Sequence, residues 1–236
     1  MSCDGAGTAA AWLRVAEVVR EHRDELVMLD REIGDGDHGE NLRRGFDMVA
    51  DRLTSAEDDT PRAVLRLVAS TLISTVGGAA GPLYGTALLR AGNAIGDRPV
   101  LDAAAVAAAL TAAVEGVVAR GRAEPGDKTM VDALQPAASA AVAASERGAT
   151  IAEVLAEASA AADAGAHATV PLIARKGRAS YLGERSAGHL DPGARSTALI
   201  LASLAASAAS WRPAGQAEGT DQGGPTGPSI APGEDA

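Results

Sequence analysis

Aromatic side chains are nearly missing from this chain: two Trp, two Tyr and one Phe stand among 236 residues. Apolar residues still make up 47%, enough for a substantial core, and alanine leads them. An alanine-rich core favours close helix–helix packing over sheets, which draw on β-branched and aromatic residues. Cys3 is the single cysteine, which excludes a disulfide framework and a thiolate zinc site. Basic residues are also short: 21 Lys and Arg face 31 Asp and Glu, for a net charge of −10. Nucleic-acid binding needs clustered cations to neutralise phosphates, so that class is excluded. Ser, Glu or Arg breaks every apolar run before it reaches the roughly 20 residues of a membrane span. The N-terminus lacks the basic-then-apolar order of a secretion signal. The expectation is a soluble, cytoplasmic protein with neither a membrane nor a nucleic-acid partner.

What the chain does have is helical periodicity. "AWLRVAEVVREHRDELVML" puts Trp12, Val15, Val19, Leu26 and Leu29 on one stripe and reads as a single helix. Thr60-Pro61 opens another helix. Asp102 is placed to cap "AAAVAAALTAAVEGVVAR", and Asp127 to cap "KTMVDALQPAASAAVAAS". Pro136 is expected to kink that second helix or end its first segment. Thr150 and Glu153 have the spacing of a capping box. About eight helices and no sustained alternation predict an all-α bundle over residues 1–211. From Arg212 onward the chain is rich in Pro, Gly and acid, and a disordered tail is expected over 212–236.

The loops are chemically unusual. Those at 30–41, 76–86, 121–130 and 174–193 combine glycine with charged or polar residues. An antiparallel bundle would bring alternate loops to one end. The densest cluster is "LDREIGDGDHGEN", with Asp30, Asp35, Asp37, His38 and Asn41. Helix capping is the bland explanation for one aspartate, but three so close repel one another and call for a cation. An EF-hand is excluded, because Phe46 or Asn41 falls where its bidentate Glu must stand. Hard carboxylate oxygens then point to Mg²⁺, which usually shares its shell with a phosphate.

A phosphate site is therefore sought elsewhere. "GRAEPGDKT" resembles a P-loop, but Asp127 intrudes before Lys128 and a helix, not a strand, precedes it. The Lys128-Thr129 pair is left unexplained by that exclusion. "STVGGAAGPLYGT" supplies glycines before a helix start, which suits an anion as well as close helix packing. "ARKGRASYLGERSAGHLDPGARS" carries Arg175, Lys176, Arg178 and Arg185, the one basic cluster, on a long loop of a kind that is often functional.

In this order the four loop sequences resemble the nucleotide-binding L subunits of dihydroxyacetone kinases, over about residues 8–210. The resemblance implies a barrel-like bundle of eight antiparallel helices with the nucleotide site in the loops at one end. It implies that Asp30, Asp35 and Asp37 bind two Mg²⁺ ions that hold the phosphates of ADP or ATP. It assigns nucleotide contacts to His38, Gly39, Glu40, Asn41, Gly78, Ala79, Ala80, Gly121, Met130, Arg178, Asp191, Pro192 and Gly193. Arg178 is also the expected catalytic cation. The chain reads GGAAG where relatives commonly have GGASG, so Ala80 offers only a backbone N–H. The implied activity is phosphoryl transfer through bound ADP, recharged by a phosphohistidine-carrying M subunit, to dihydroxyacetone held on a K subunit. A transcription regulator is a further implied partner. The alternatives are an ATP-dependent kinase subunit for another ketose or polyol, and a nucleotide-dependent regulatory module.

Overall fold

The computed structural model describes residues 3–55 and 60–211, and the expected disordered tail lies outside them. Among the described residues there are nine α-helices and one 3₁₀ segment, and no strand. The α-helices are α1 (Gly5–Glu21), α2 (Arg23–Ile33), α3 (His38–Ser55), α4 (Pro61–Thr75) and α5 (Ala80–Ile95), then α6 (Ala103–Gly121), α7 (Val131–Glu146), α8 (Ile151–Ala168) and α9 (Pro192–Ala208). The 3₁₀ segment, Arg178–Ser186, lies between α8 and α9.

Each helix from α3 to α9 packs on the next one, and α9 returns to α1, which packs on α3. The helix contacts therefore close into a ring, with α2 laid against α3. Alanines at the α7–α8 contact, such as Ala137, Ala141, Ala158 and Ala162, are fully buried or nearly so. Small side chains let helix backbones approach closely. Two of the few aromatics are buried together: Trp12 and Phe46 stack at 6.4 Å between α1 and α3. Inside the ring is an apolar cavity of about 150 Å³, bordered by Trp12, Phe46, Leu65, Leu110, Leu134 and Leu201.

Several sequence expectations hold. Thr60, Asp102 and Thr150 each cap the helix that follows, Thr150 within a complete capping box. Others need correction. The first predicted helix is two, because His22 (φ −94°, ψ 10°) breaks it. That break resets the buried face, so Val27 and Asp30 point inward while Leu29 is only half-buried. Asp127 does not cap α7, since its carboxylate accepts from the Glu124 N–H at 2.9 Å. Asp132 instead accepts from Gly126 N–H and Thr129 N–H. Pro136 neither ends nor divides α7. Its ring lies against Gly165 of α8, where a Cβ would stand 2.9 Å from Pro136 Cγ. Finally, the long loop before α9 contains the 3₁₀ segment, broken at Gly183 (φ 57°).

α6, at 19 residues, is long and apolar enough to cross a membrane by length and composition. In the fold it packs between α5 and α7.

Candidate functional site

The acidic turn is built by α2 and α3. Asp30 lies one helical turn after buried Leu26 and is itself buried. Its Oδ2 accepts the N–H groups of Asp37 at 2.9 Å and His38 at 3.1 Å. The capping explanation is therefore correct in part, with Asp30 serving the first amides of α3. Two glycines are required by the geometry. A Cβ at Gly34 would run into Asp30 Oδ1, and Gly36 adopts φ +76°.

One carboxylate oxygen each from Asp30, Asp35 and Asp37 can be chosen so that all three lie within 4.8 Å of one another. At that separation two unit charges repel by about 3 kcal/mol at an effective dielectric of 20. Arg178 enters from the 3₁₀ segment, with its Nη2 3.0 Å from Asp35 Oδ2. One guanidinium against three carboxylates leaves a negative excess of hard oxygen ligands, and a divalent cation fits that donor set.

His38 connects this turn to the start of α9. Its Nε2 is 2.9 Å from Ser196 Oγ, and burial lowers its pKa against the opposing pull of Asp30 and Asp37. Tyr84 Oη lies 2.7 Å from Ser196 Oγ and 3.0 Å from Thr197 Oγ1. Burial pushes the Tyr84 hydroxyl up to about 12. The hydroxyls of Ser196 and Thr197 both donate to the Gly193 carbonyl. Asp191 caps α9 by accepting the Ala194 N–H at 2.7 Å. Burial raises its pKa to about 7, while that hydrogen bond and the charge of Lys128 act the other way. Met130 is buried against Gly193, where a Cβ would stand 3.5 Å from Met130 N.

One turn further along α3, Asn41 Oδ1 accepts from Arg44 at 2.8 Å and lies against Gly77. Gly78 adopts φ +66° and faces open space. Ala79 and Ala80 then open α5 without a side-chain cap, which presents helix N–H groups and the positive end of the helix dipole. Gly121 ends α6 next to Leu83 of α5.

Contacts thus link Asp30, Asp35, Asp37, His38, Arg178, Met130 and Asp191–Gly193, and bring Asn41 to the glycine loop. Glu40 faces away from this chain of contacts: Arg23 at 2.9 Å and Arg43 at 2.6 Å hold its carboxylate. Those partners, Arg43 first, lower its pKa to about 2. Gly39 allows close packing of α3 on the Arg23 carbonyl and Val27. Sequence reasoning missed Tyr84, Ser196 and Thr197, whose only sign is their closeness to the glycine loop and the Asp191-Pro192-Gly193 turn. It also left Lys128 open. That residue is buried, in keeping with the exclusion of a P-loop.

A family model described as a DAK2 domain matches residues 32–206, most of the chain. The chain belongs to the DAK2 domain family. Within it, the chain is 42% identical over 198 residues to the ADP-binding subunit DhaL of the PEP-dependent dihydroxyacetone kinase of Escherichia coli (strain K12). That match covers 84% of this chain and 94% of the relative. The PTS-dependent counterpart of Lactococcus lactis is 36% identical, with 84% and 95% covered. An L-erythrulose 1-kinase of Mycolicibacterium smegmatis is also 36% identical, but the match covers 80% of this chain and 33% of that protein. Among solved structures, the dihydroxyacetone kinase of C. freundii in complex with AMP-PNP and Mg²⁺ matches with a TM-score of 0.66 at 27% identity. This DAK2 chain is covered to 88% by that match and corresponds to 35% of the C. freundii chain.

Proposed function

We propose that this chain is the ADP-binding subunit of a PEP- or PTS-dependent dihydroxyacetone kinase. It passes a phosphoryl group through bound ADP to dihydroxyacetone held on a partner K subunit. The observation that carries the reading is the convergence of the Asp30, Asp35 and Asp37 oxygens within 4.8 Å, with Arg178 on Asp35. Relatives matched over 94–95% of their own length, at 42% and 36% identity, carry the name of ADP-binding subunits of dihydroxyacetone kinases, which supports the reading.

In this reading Asp30, Asp35 and Asp37 hold Mg²⁺, two ions by the family resemblance. Bound Mg²⁺ supplies positive charge that gathers the phosphate oxygens and offsets charge on the transferring group. The N–H groups at Gly78, Ala79 and Ala80 face the phosphates, and Ala80 contributes no hydroxyl. Arg178 adds an exposed cation beside the transferring phosphoryl group, where a positive charge set in place stabilises the charge that develops. His38, whose pKa burial lowers, offers a hydrogen bond. Gly121, Met130 and Asp191–Gly193 border the ribose and adenine. With Mg²⁺ and ADP bound, Asp30, Asp35, Asp37 and Arg178 would hold the phosphates and offset their charge while a phosphoryl group is taken up from an M subunit's phosphohistidine and passed on to dihydroxyacetone. A transcription regulator is proposed as a further partner.

Acid extraction of the purified protein should release ADP, and elemental analysis should find Mg²⁺. With K and M subunits present, transfer from phosphohistidine to dihydroxyacetone should follow. Transfer from free ATP to L-erythrulose, with none from phosphohistidine, would overturn the reading.

A further inference from the structure

Lys128 is a lysine with a 1% exposed side chain. Its backbone is left-handed (φ 62°), a conformation that among the described non-glycine residues only Arg122 shares. An ammonium has three N–H donors, and burying it without partners is very costly. Here Nζ donates to four backbone carbonyls: His189 at 2.5 Å, Thr169 at 2.9 Å, Leu172 at 3.2 Å and Val170 at 3.4 Å. No N–H is left for a ligand.

Those carbonyls belong to two separate segments, and Lys128 itself stands on a third. The first segment is the turn after α8, which leads to Arg178. The second carries His189, two residues before Asp191. The third is the turn ending at Met130. Other bonds join the same three pieces: Arg175 N–H to the Asp127 carbonyl at 3.1 Å, Gly188 N–H to the Val170 carbonyl at 2.8 Å, and Asp191 N–H to Thr169 Oγ1 at 3.0 Å. Each piece leads into one part of the nucleotide site proposed above, namely Met130, Arg178 or Asp191–Gly193.

We infer that Lys128 is the positioning residue of the nucleotide site: its ammonium pins three segments so that Met130, Arg178 and the Asp191-Pro192-Gly193 turn meet one nucleotide. It acts without touching the ligand, because its donors are spent on carbonyls. This inference rests on the Mg²⁺–ADP reading of the site.

The test is calorimetric titration of Mg²⁺ and ADP into nucleotide-stripped protein. The variants are Lys128→Met, Lys128→Gln and, as a control, the core variant Val114→Ala. Lys128→Met should weaken ADP binding at least tenfold more than Val114→Ala does, after scaling to equal loss of thermal stability. Lys128→Gln, which keeps two N–H donors, should recover part of the affinity. Binding by Lys128→Met within twofold of the control would overturn the inference. Failure of the unaltered protein to bind ADP would instead overturn the nucleotide reading. If neither Lys128 variant folds, hydrogen exchange on the unaltered protein decides. Mg²⁺–ADP should slow the amides of 127–131, 169–172 and 189–193 together, and slowing confined to one segment would overturn the inference.

Discussion

The Arg178 guanidinium and the Asp35 carboxylate meet at 3.0 Å across the mouth of the acidic turn. This is an ion pair between a 3₁₀ segment and a glycine-flanked loop that are remote in sequence. Arg178 is the more exposed partner, so its hold on Asp35 is easily exchanged for other charges. In the proposed reaction it serves the transferring phosphoryl group. Arg178→Gln should lower single-turnover phosphoryl transfer by about 100-fold, the usual effect of removing one preset donor. Because the three acids remain, ADP retention should fall much less. Equal losses in retention and rate would contradict a catalytic role.

Asp37→Asn removes one of three mutually repelling charges. Without metal, the variant should melt at or above the temperature of the unaltered protein. With Mg²⁺ and ADP, the unaltered protein should gain thermal stability through ligand binding, and the variant should gain little. Scanning calorimetry in chelator and in Mg²⁺–ADP measures both differences.

Two glycines should respond differently to alanine. At Gly34 the added Cβ would collide with Asp30 Oδ1, so Gly34→Ala should displace the carboxylate proposed to hold Mg²⁺ and abolish tight ADP retention. At Gly78 the Cβ would enter open space, but φ is +66°. Gly78→Ala should therefore cost about 1–2 kcal/mol of backbone strain in denaturant unfolding with the acidic turn left intact.

Asp191 gives a pH dependence of unusual sign. Burial raises its pKa from 3.8 to about 7 in the folded chain, with Lys128 lowering it and Asp132 raising it. Below about pH 4 the group is protonated in both states and imposes no penalty. Between there and pH 7 the unfolded chain releases the proton first, so this group's contribution to stability falls as pH rises. Asp191→Asn keeps an oxygen for the Ala194 N–H and should flatten the stability curve between pH 4 and 7. Urea midpoints at several pH values for both proteins would show it.

Helices were legible in the sequence because their signals are local. Thr60-Pro61, Asp102 and the Thr150–Glu153 box act within one turn, and each does so in the fold. The acidic turn was legible for the same reason, since Asp30, Asp35 and Asp37 are close in the chain and Gly36 separates the last two. His22 was not legible, because nothing in the period of "VVREHRDELV" marks a break. The break matters, since it turns Asp30 inward. Asp127 looked like a cap, but Asp132 takes the nearby amides, a competition between two acids that only the folded turn resolves.

The sequence by itself determined the class of the fold, the helix starts and the three acids, all consequences of spacing along one or two turns. Tertiary structure alone decided which acids face which cations. It set Arg178 on Asp35, Glu40 on Arg23 of α2, and His38 on the Ser196–Tyr84 pair. It also gave Lys128 its four carbonyls. The physical reason is that charge and hydrogen-bond pairing depend on distance in space, and separation along the chain does not encode where a packed ring of helices will bring its loops.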